Sequence, residues 1–348
     1  MDIIIPCAGL STRFHNMRPK FLLTDYQGRM MLELAAQPYI GKHRIHIVVL
    51  QQHEDDFNIK KTMATVFGDK INVVILPKLT SGPAETINQA LKQIGLTDST
   101  FLVHDCDSVF DHTNLSTGNR ICVDILDKHP TLRAPANKSY VEVNDQDIVL
   151  CTIEKKIISD LFCVGGYQFA SAIEYRAAFE ELKKSRLDEI YISSVVDHMI
   201  SNGSIFVADR IDNFIDLGTK EDWQRFNDKP TIFCDIDGTL IKNQAAFGKN
   251  TYDTAPVVLQ NNVDILQKYL LDGAEIIFIS ARPKIWFEQT RAMLNNLGFA
   301  NCQLLIGLHH SKRILINDFA PSNPYPSAIA ININRNSNTL DNFLQGKN

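Results

Sequence analysis

The sequence predicts an α/β protein of two domains, on three observations. Short apolar runs alternate with helix-period patterns along the chain. The alternation restarts after a polar, proline-closed stretch, Asn227–Pro230. The length of 348 residues is more than one ordinary domain holds and enough for two buried cores.

In chain order, Ile3–Ile5, Ile45–Leu50, Val73–Leu76 and Phe101–His104 are short apolar runs that predict buried strands. Leu32–Ile40, Glu85–Ile94 and Arg120–Lys128 predict helices between them, so the sheet is expected to be mostly parallel. From residue 133 to 166 the pattern becomes strand-rich, as a substrate-facing insertion would. Helices follow at Tyr175–Lys184 and Ile192–Asn202. After the linker come a strand Thr231–Cys234, a helix Val263–Leu271, a strand Glu275–Ile279, a helix Ile285–Leu297, and strands Leu304–Ile306 and Arg313–Ile316. The expected domains are residues 1–228 and 229–348.

Composition narrows the function. A net charge of −5 argues against a general nucleic-acid binder, which carries a basic excess, but leaves room for a nucleotide in one cationic pocket. No apolar stretch reaches the roughly 18 residues of a membrane span, and Met1-Asp-Ile-Ile-Ile5 lacks the positive start of a secretory signal. Seven cysteines without a Cys-x-x-Cys pair read as buried, reduced thiols. The expectation is a cytoplasmic protein with no nucleic-acid and no membrane partner; oligomeric state is not readable.

The first strand runs into Pro6-Cys-Ala-Gly-Leu-Ser-Thr-Arg13, with Arg18-Pro-Lys20 shortly after. Ligands of open α/β sheets bind beyond the carboxyl ends of the strands. Small residues there let backbone N–H groups approach phosphate oxygens, and Arg13 and Lys20 add charge. Taken alone, Lys20 or Lys155 reads as a solvated surface lysine and Asp216 as a turn residue; it is the joint order of the motifs that carries information.

That order resembles the sugar-1-phosphate nucleotidyltransferases, whose signature runs Gly-x-Gly-x-Arg and then Pro-Lys. Leu79-Thr-Ser-Gly-Pro-Ala-Glu-Thr86 resembles their base-contacting loop. Phe101–Asp107 resembles the strand ending in a metal aspartate, Ile153-Glu-Lys155 the pair at the sugar phosphate, and Asp216-Leu-Gly-Thr219 the segment with the second metal aspartate. The likeness covers residues 1–226 and implies a Rossmann-like, GT-A-like domain. It implies Ala8, Gly9, Leu10, Ser11, Thr80 and Gly82 at the nucleotide, Glu154 and Lys155 at the sugar phosphate, Arg13 and Lys20 as catalytic cations, and Asp107 with Asp216 holding Mg2+. Asp105 is a second candidate for the first metal position, though the motif's register favours Asp107. Ser11 departs from the pattern, standing where the family has its second loop glycine.

In the second domain, Asp235 and Asp237 sit two apart at a strand end before Gly238, on one face of the strand. Asp235-Ile-Asp-Gly-Thr-Leu240 resembles the first motif of the haloacid dehalogenase-like (HAD-like) phosphatases. The resemblance implies Asp235 as nucleophile, Asp237 as general acid/base, Thr239 and Ser280 at the phosphoryl group, and Mg2+ held by Asp235, Asp237 and Asp318. Lys312 is the candidate for the third-motif cation, with Lys284 and Arg282 as alternatives. Only 42 residues separate Asp237 from Ser280, which implies a capless HAD-like Rossmannoid domain. Tyr325 is a candidate pocket residue.

Together the resemblances imply a bifunctional, Mg2+-dependent enzyme. One half joins a nucleoside triphosphate to a phosphorylated sugar or polyol; the other hydrolyses a phosphomonoester, as in synthesis of activated precursors for capsule or surface polysaccharide. The alternatives are a working phosphatase with an N-terminal binding module, and a nucleotide sensor or scaffold without turnover.

Overall fold

The structure, a computed structural model, describes residues 1–348 apart from 15–16, 113–115, 131, 133–134, 186–187, 244–254, 319–327 and 345–348. Tyr325 lies outside the described residues. The chain forms two compact units, Met1–Phe226 and Asn227–Asn348.

The N-terminal unit is built on β1 (Asp2–Pro6), β2 (Arg44–Leu50), β3 (Ile71–Leu76), β4 (Phe101–His104), β5 (Ser108–Val109), β6 (Asn119–Ile125), β7 (Ser139–Val143), β8 (Val149–Glu154), β9 (Leu161–Phe169), β10 (Phe206–Arg210) and β11 (Ile215–Asp216). Its helices are α1 (Met31–Ala36), α2 (Gln51–Phe57), α3 (Ile59–Phe67), α4 (Pro83–Ile94), α5 (Ala172–Ser185), α6 (Ile192–Ser201) and α7 (Lys220–Asn227). The main sheet runs β10-β6-β9-β4-β1-β2-β3, with the β7–β8 hairpin attached to β9. β4, β1, β2 and β3 are mutually parallel, whereas β9 runs antiparallel to both β4 and β6.

Both faces of this sheet are buried, which is why its strands read as unbroken apolar runs. Alternate residues of β1 serve different cores. Ile3 and Ile5 pack with Leu32, Tyr39 and Met63, while Ile4 packs with Ile87, Leu91 and Phe101. The same rule corrects one expectation. Arg120–Lys128 is not a helix but β6 followed by a 3-10 turn at Leu126–Lys128. Ile121 and Val123 face one core and Cys122 another, and a short run buried on both sides has no period that separates strand from helix.

The C-terminal unit has a parallel sheet, β12 (Thr231–Asp235), β13 (Glu275–Ser280) and β14 (Gln303–Ile306), in that order. Helices α8 (Gln260–Leu271), α9 (Phe287–Asn296) and α10 (Asp341–Leu344) accompany it. Ile236, Leu240, Leu266, Phe278, Leu294 and Phe299 form its core. The expected strand at Arg313–Ile316 is not one: residues 312–318 carry no regular structure, and Ile314 and Ile316 are 73% and 88% exposed. A strand needs a ladder partner as well as an apolar run, and pattern reports only the run. Among the described residues, no helix is long and apolar enough to cross a membrane.

Candidate active sites

The first loop departs from β1 at its carboxyl end. Ala8 is buried, while Gly9, Leu10 and Arg13 are exposed. A Cβ at Gly9 would meet no atom within 4 Å, so packing does not demand glycine there. Ser11 takes the glycine's conformation with a side chain in place: its φ is +52°, and its Oγ accepts the backbone N–H of Lys20 at 3.0 Å. The serine thus ties the loop to the Pro-Lys segment that follows it.

Lys20 reaches Asp107, Nζ to Oδ2 2.5 Å. Burial works against the charge on Lys20, but the Asp107 carboxylate more than offsets it and raises its pKa. Burial likewise opposes ionisation of Asp107, yet Lys20 and, behind it, Lys138 hold its carboxyl below the usual value. Asp105 faces elsewhere, against Gly165, where an added Cβ would come within 2.7 Å of its Oδ2. Burial and the charge of Asp107 push Asp105 up to about 7.

Asp107 and Asp216, over a hundred residues apart, are stitched together by the antiparallel pair β5–β11, in which Asp216 lies opposite Ser108. Leu217 N–H donates to the Asp107 carbonyl at 2.8 Å. The two carboxylates flank Gly218: a Cβ there would lie 3.1 Å from Asp107 Oδ2 and 3.1 Å from Asp216 Oδ1. Lys138 Nζ sits 2.6 Å from Asp216 Oδ2. Among the described residues no cluster of three or more His, Cys, Asp or Glu forms a metal cage. An oxygen-only pair still fits Mg2+, which keeps several waters and takes phosphate oxygens as further ligands.

The remaining predicted residues are linked to one another through residues 189–193. Thr80 Oγ1 donates to the Gly82 carbonyl at 3.1 Å and contacts Thr86 Oγ1 at 2.6 Å, closing the loop before α4. Gly82 is required by close approach, since a Cβ would meet Glu189 Cγ at 2.8 Å and the Ile190 carbonyl oxygen at 3.0 Å. Glu154 accepts from Ser139 and from Ser193 Oγ, the latter at 2.7 Å. Lys155, at φ +56°, lies over the Tyr191 ring, 4.4 Å from its centroid, and bonds the Tyr191 hydroxyl, which donates to Glu189 at 2.5 Å.

In the C-terminal unit, Asp235 ends β12 and Ser280 ends β13, paired in register Asp235↔Ile279, so both leave the sheet at the same edge. Gly238 turns the chain at φ +95°, and the half-buried Thr239 follows it. Burial raises the pKa of Asp235, with Arg313 acting in the opposite direction and Asp237 reinforcing it. Asp237 is held by a two-pronged ion pair from Arg282, both N–O distances 2.8 Å. Arg313 lies 3.4 Å from Asp235, and Lys312, the candidate for the third-motif cation, is exposed in the same segment. One expectation is corrected here. Asp318 does not end a strand but lies in the exposed irregular segment described above.

Lys138, Tyr191 and Arg313 do not stand out in the sequence. No motif surrounds them; Lys138 gains meaning only because β7 and β8 pair Ser139 with Glu154, which sets it opposite Lys155.

Comparison with known proteins separates the two units. No curated protein sequence matches the chain. The LNS2 domain family of PITM 1-3 matches residues 232–316. A nucleoside-diphosphate-sugar pyrophosphorylase from Vibrio cholerae RC9 superposes with a TM-score of 0.56 at 20% identity, over 64% of this chain and 98% of its own. The inositol-1-phosphate CTP transferase from T. maritima gives 0.52 at 18% identity, over 64% and 90%. These likenesses establish the fold of the N-terminal unit. The family model of IspD, 2-C-methyl-D-erythritol 4-phosphate cytidylyltransferase, matches residues 1–199, more than half of the chain, and the protein therefore belongs to that nucleotidyltransferase family.

Proposed function

We propose that the N-terminal unit transfers a nucleotidyl group from a nucleoside triphosphate to the phosphate of a sugar or polyol, releasing pyrophosphate. The observation that carries this reading is the convergence of Asp107 and Asp216 on Gly218 with Lys20 against Asp107. An oxygen of the acceptor phosphate attacks the α-phosphorus, the bond to the β-phosphate breaks, and pyrophosphate leaves. Two polyanions must meet, so catalysis is positioning and neutralisation rather than a protein nucleophile. Mg2+, held by Asp107 and Asp216, would offset charge on the triphosphate. The loop Ala8–Ser11 offers N–H groups to phosphate, with open space at Gly9 for close approach. Arg13 and Lys20 neutralise the triphosphate, Thr80 and Gly82 shape the base site, and Glu154 orients the strand end that presents Lys155 to the acceptor. The test is pyrophosphate release, with the four common triphosphates crossed against sugar and polyol phosphates.

For the C-terminal unit we propose a HAD-like phosphatase, without an inserted cap, that hydrolyses a phosphomonoester related to the first half's chemistry. Asp235 Oδ attacks phosphorus and the alcohol leaves with a proton from Asp237, whose carboxyl must first leave the Arg282 ion pair; water, giving its proton to Asp237, then cleaves the aspartyl-phosphate. Support comes from Asp235 and Ser280 at one sheet edge and from Arg313 beside Asp235. Mg2+ would be held by Asp235, Asp237 and Asp318. Asp235→Asn should abolish aryl phosphate hydrolysis and leave pyrophosphate release intact; hydrolysis at the wild-type rate refutes the mechanism.

A further inference from the structure

Lys138 stands inside the N-terminal site without a role so far. Its ammonium is 2.6 Å from Asp216 Oδ2, in side chains only 22% and 11% exposed, and 5.7 Å from the centroid of the Phe214 ring. Its carbonyl accepts the Lys155 N–H at 3.0 Å, so the two lysines are backbone neighbours at the end of the β7–β8 hairpin. Its charge also acts on Asp107. Each of the two carboxylates that flank Gly218 therefore carries its own lysine, Lys20 on Asp107 and Lys138 on Asp216.

This arrangement is electrically balanced as it stands. A divalent cation drawn to the same two carboxylates would meet two ammonium groups within a few ångströms. At such separations like charges repel strongly in a part-buried site. The lysines must then give up their carboxylates, and the anions to receive them are phosphates. Lys20 follows the triphosphate loop, tied to Ser11. Lys138 is tied to Lys155 instead, on the acceptor side.

We propose that Lys138 is a phosphate-binding residue of the transfer site, held on Asp216 in the free protein and passed to the acceptor's phosphomonoester when a divalent cation takes up Asp216. With Lys155 it forms a two-lysine receptor for that phosphate. The inference rests on the reading of Asp107 and Asp216 as metal ligands. It demands two effects of opposite sign from one substitution: losing Lys138 removes a competitor for the metal and a partner for the phosphate.

The test is Mn2+ binding followed by water-proton relaxation, without nucleotide, in the Asp235→Asn background so that the C-terminal nucleophile takes no part. Lys138→Met should tighten Mn2+ binding several-fold, while Lys138→Arg, which keeps the charge, should stay near the parent. At saturating Mn2+, glycerol 3-phosphate as phosphomonoester probe should bind Lys138→Met at least tenfold more weakly. Unchanged or weaker Mn2+ binding in Lys138→Met, with the parent's circular dichroism, overturns the inference, as does unchanged binding of the probe. Lys138→Gln carries the same two expectations should the methionine variant not fold. Asp216→Asn is the control for the underlying reading: if it binds Mn2+ as the parent does, the metal assignment fails, and the phosphate titration alone then decides on Lys138.

Discussion

Lys20 Nζ and Asp107 Oδ2 lie 2.5 Å apart, and Lys20 is held in place from behind by the bond from its own N–H to Ser11. One lysine thus links the first loop to the carboxylate pair. Lys20→Ala should slow nucleotidyl transfer by about a hundredfold or more, the scale seen when one preorganised transition-state donor is removed. Aryl phosphate hydrolysis by the other unit should change little. Equal loss of both activities would point to misfolding and count against the assignment.

Gly218→Ala tests the carboxylate pair from the backbone side. The new Cβ would press on Asp107 Oδ2 and Asp216 Oδ1 at 3.1 Å each, and Gly218 is not among the residues with positive φ, so backbone strain does not confuse the result. The Mg2+ concentration for half-maximal transfer should rise about tenfold, the usual scale for disturbing the surroundings of metal ligands. An unchanged Mg2+ requirement would remove Asp107 and Asp216 as its ligands.

Ser11 separates strain from hydrogen bonding. Glycine at φ +52° relieves roughly 1 kcal/mol of left-handed strain and gives up one hydrogen bond of about the same worth, so Ser11→Gly should be near neutral. Ser11→Ala keeps the strain and loses the bond, and should be less stable than Ser11→Gly by about 1 kcal/mol. Urea denaturation of both variants checks the order. Equal stability of Ser11→Ala and the parent would mean that the bond to Lys20 N–H contributes nothing.

His104 gives the N-terminal unit an acid-sensitive point. Its Nε2–H donates to the Ser108 carbonyl at 2.9 Å, so Nδ1 accepts from Tyr39 at 2.8 Å, and the ring stacks on Phe110. Burial lowers its pKa from 6.5 to about 4. Between those values the unfolded chain binds the proton and the folded one does not, so stability rises with pH across the window and is lost as pH falls through it. The contribution approaches about 3 kcal/mol, since each tenfold change in proton affinity is worth roughly 1.4 kcal/mol. His104→Gln should flatten the dependence of the urea midpoint between pH 4 and 6.5; an unchanged slope would contradict the buried neutral imidazole.

Legibility in the sequence follows the physics. The strands β1, β2, β3 and β4 are readable because they are short β-branched or apolar runs bounded by polar, small or proline-containing segments. Asp107, Asp216 and Lys20 are readable as an ordered set of motifs, although nothing in the spacing reveals the β5–β11 pair that joins the two carboxylates. β6 reads as a helix because Ile121, Cys122 and Val123 are buried on both faces. Arg313–Ile316 reads as a strand because an apolar triplet does not disclose whether a neighbouring strand will pair with it. Lys138 leaves no mark at all: its role comes from register, which is fixed by long-range pairing and not by local composition.

The most direct test of the central claim follows the α-phosphorus. Nucleoside triphosphate labelled there is supplied with Mg2+ and a panel of sugar and polyol phosphates. The account predicts that the label passes into a nucleotide diphosphate conjugate of the acceptor, with one unlabelled pyrophosphate released per conjugate, and that Asp107→Asn and Asp216→Asn abolish both. Label recovered only as free nucleoside mono- or diphosphate, or conjugate formed undiminished by either aspartate variant, would contradict it.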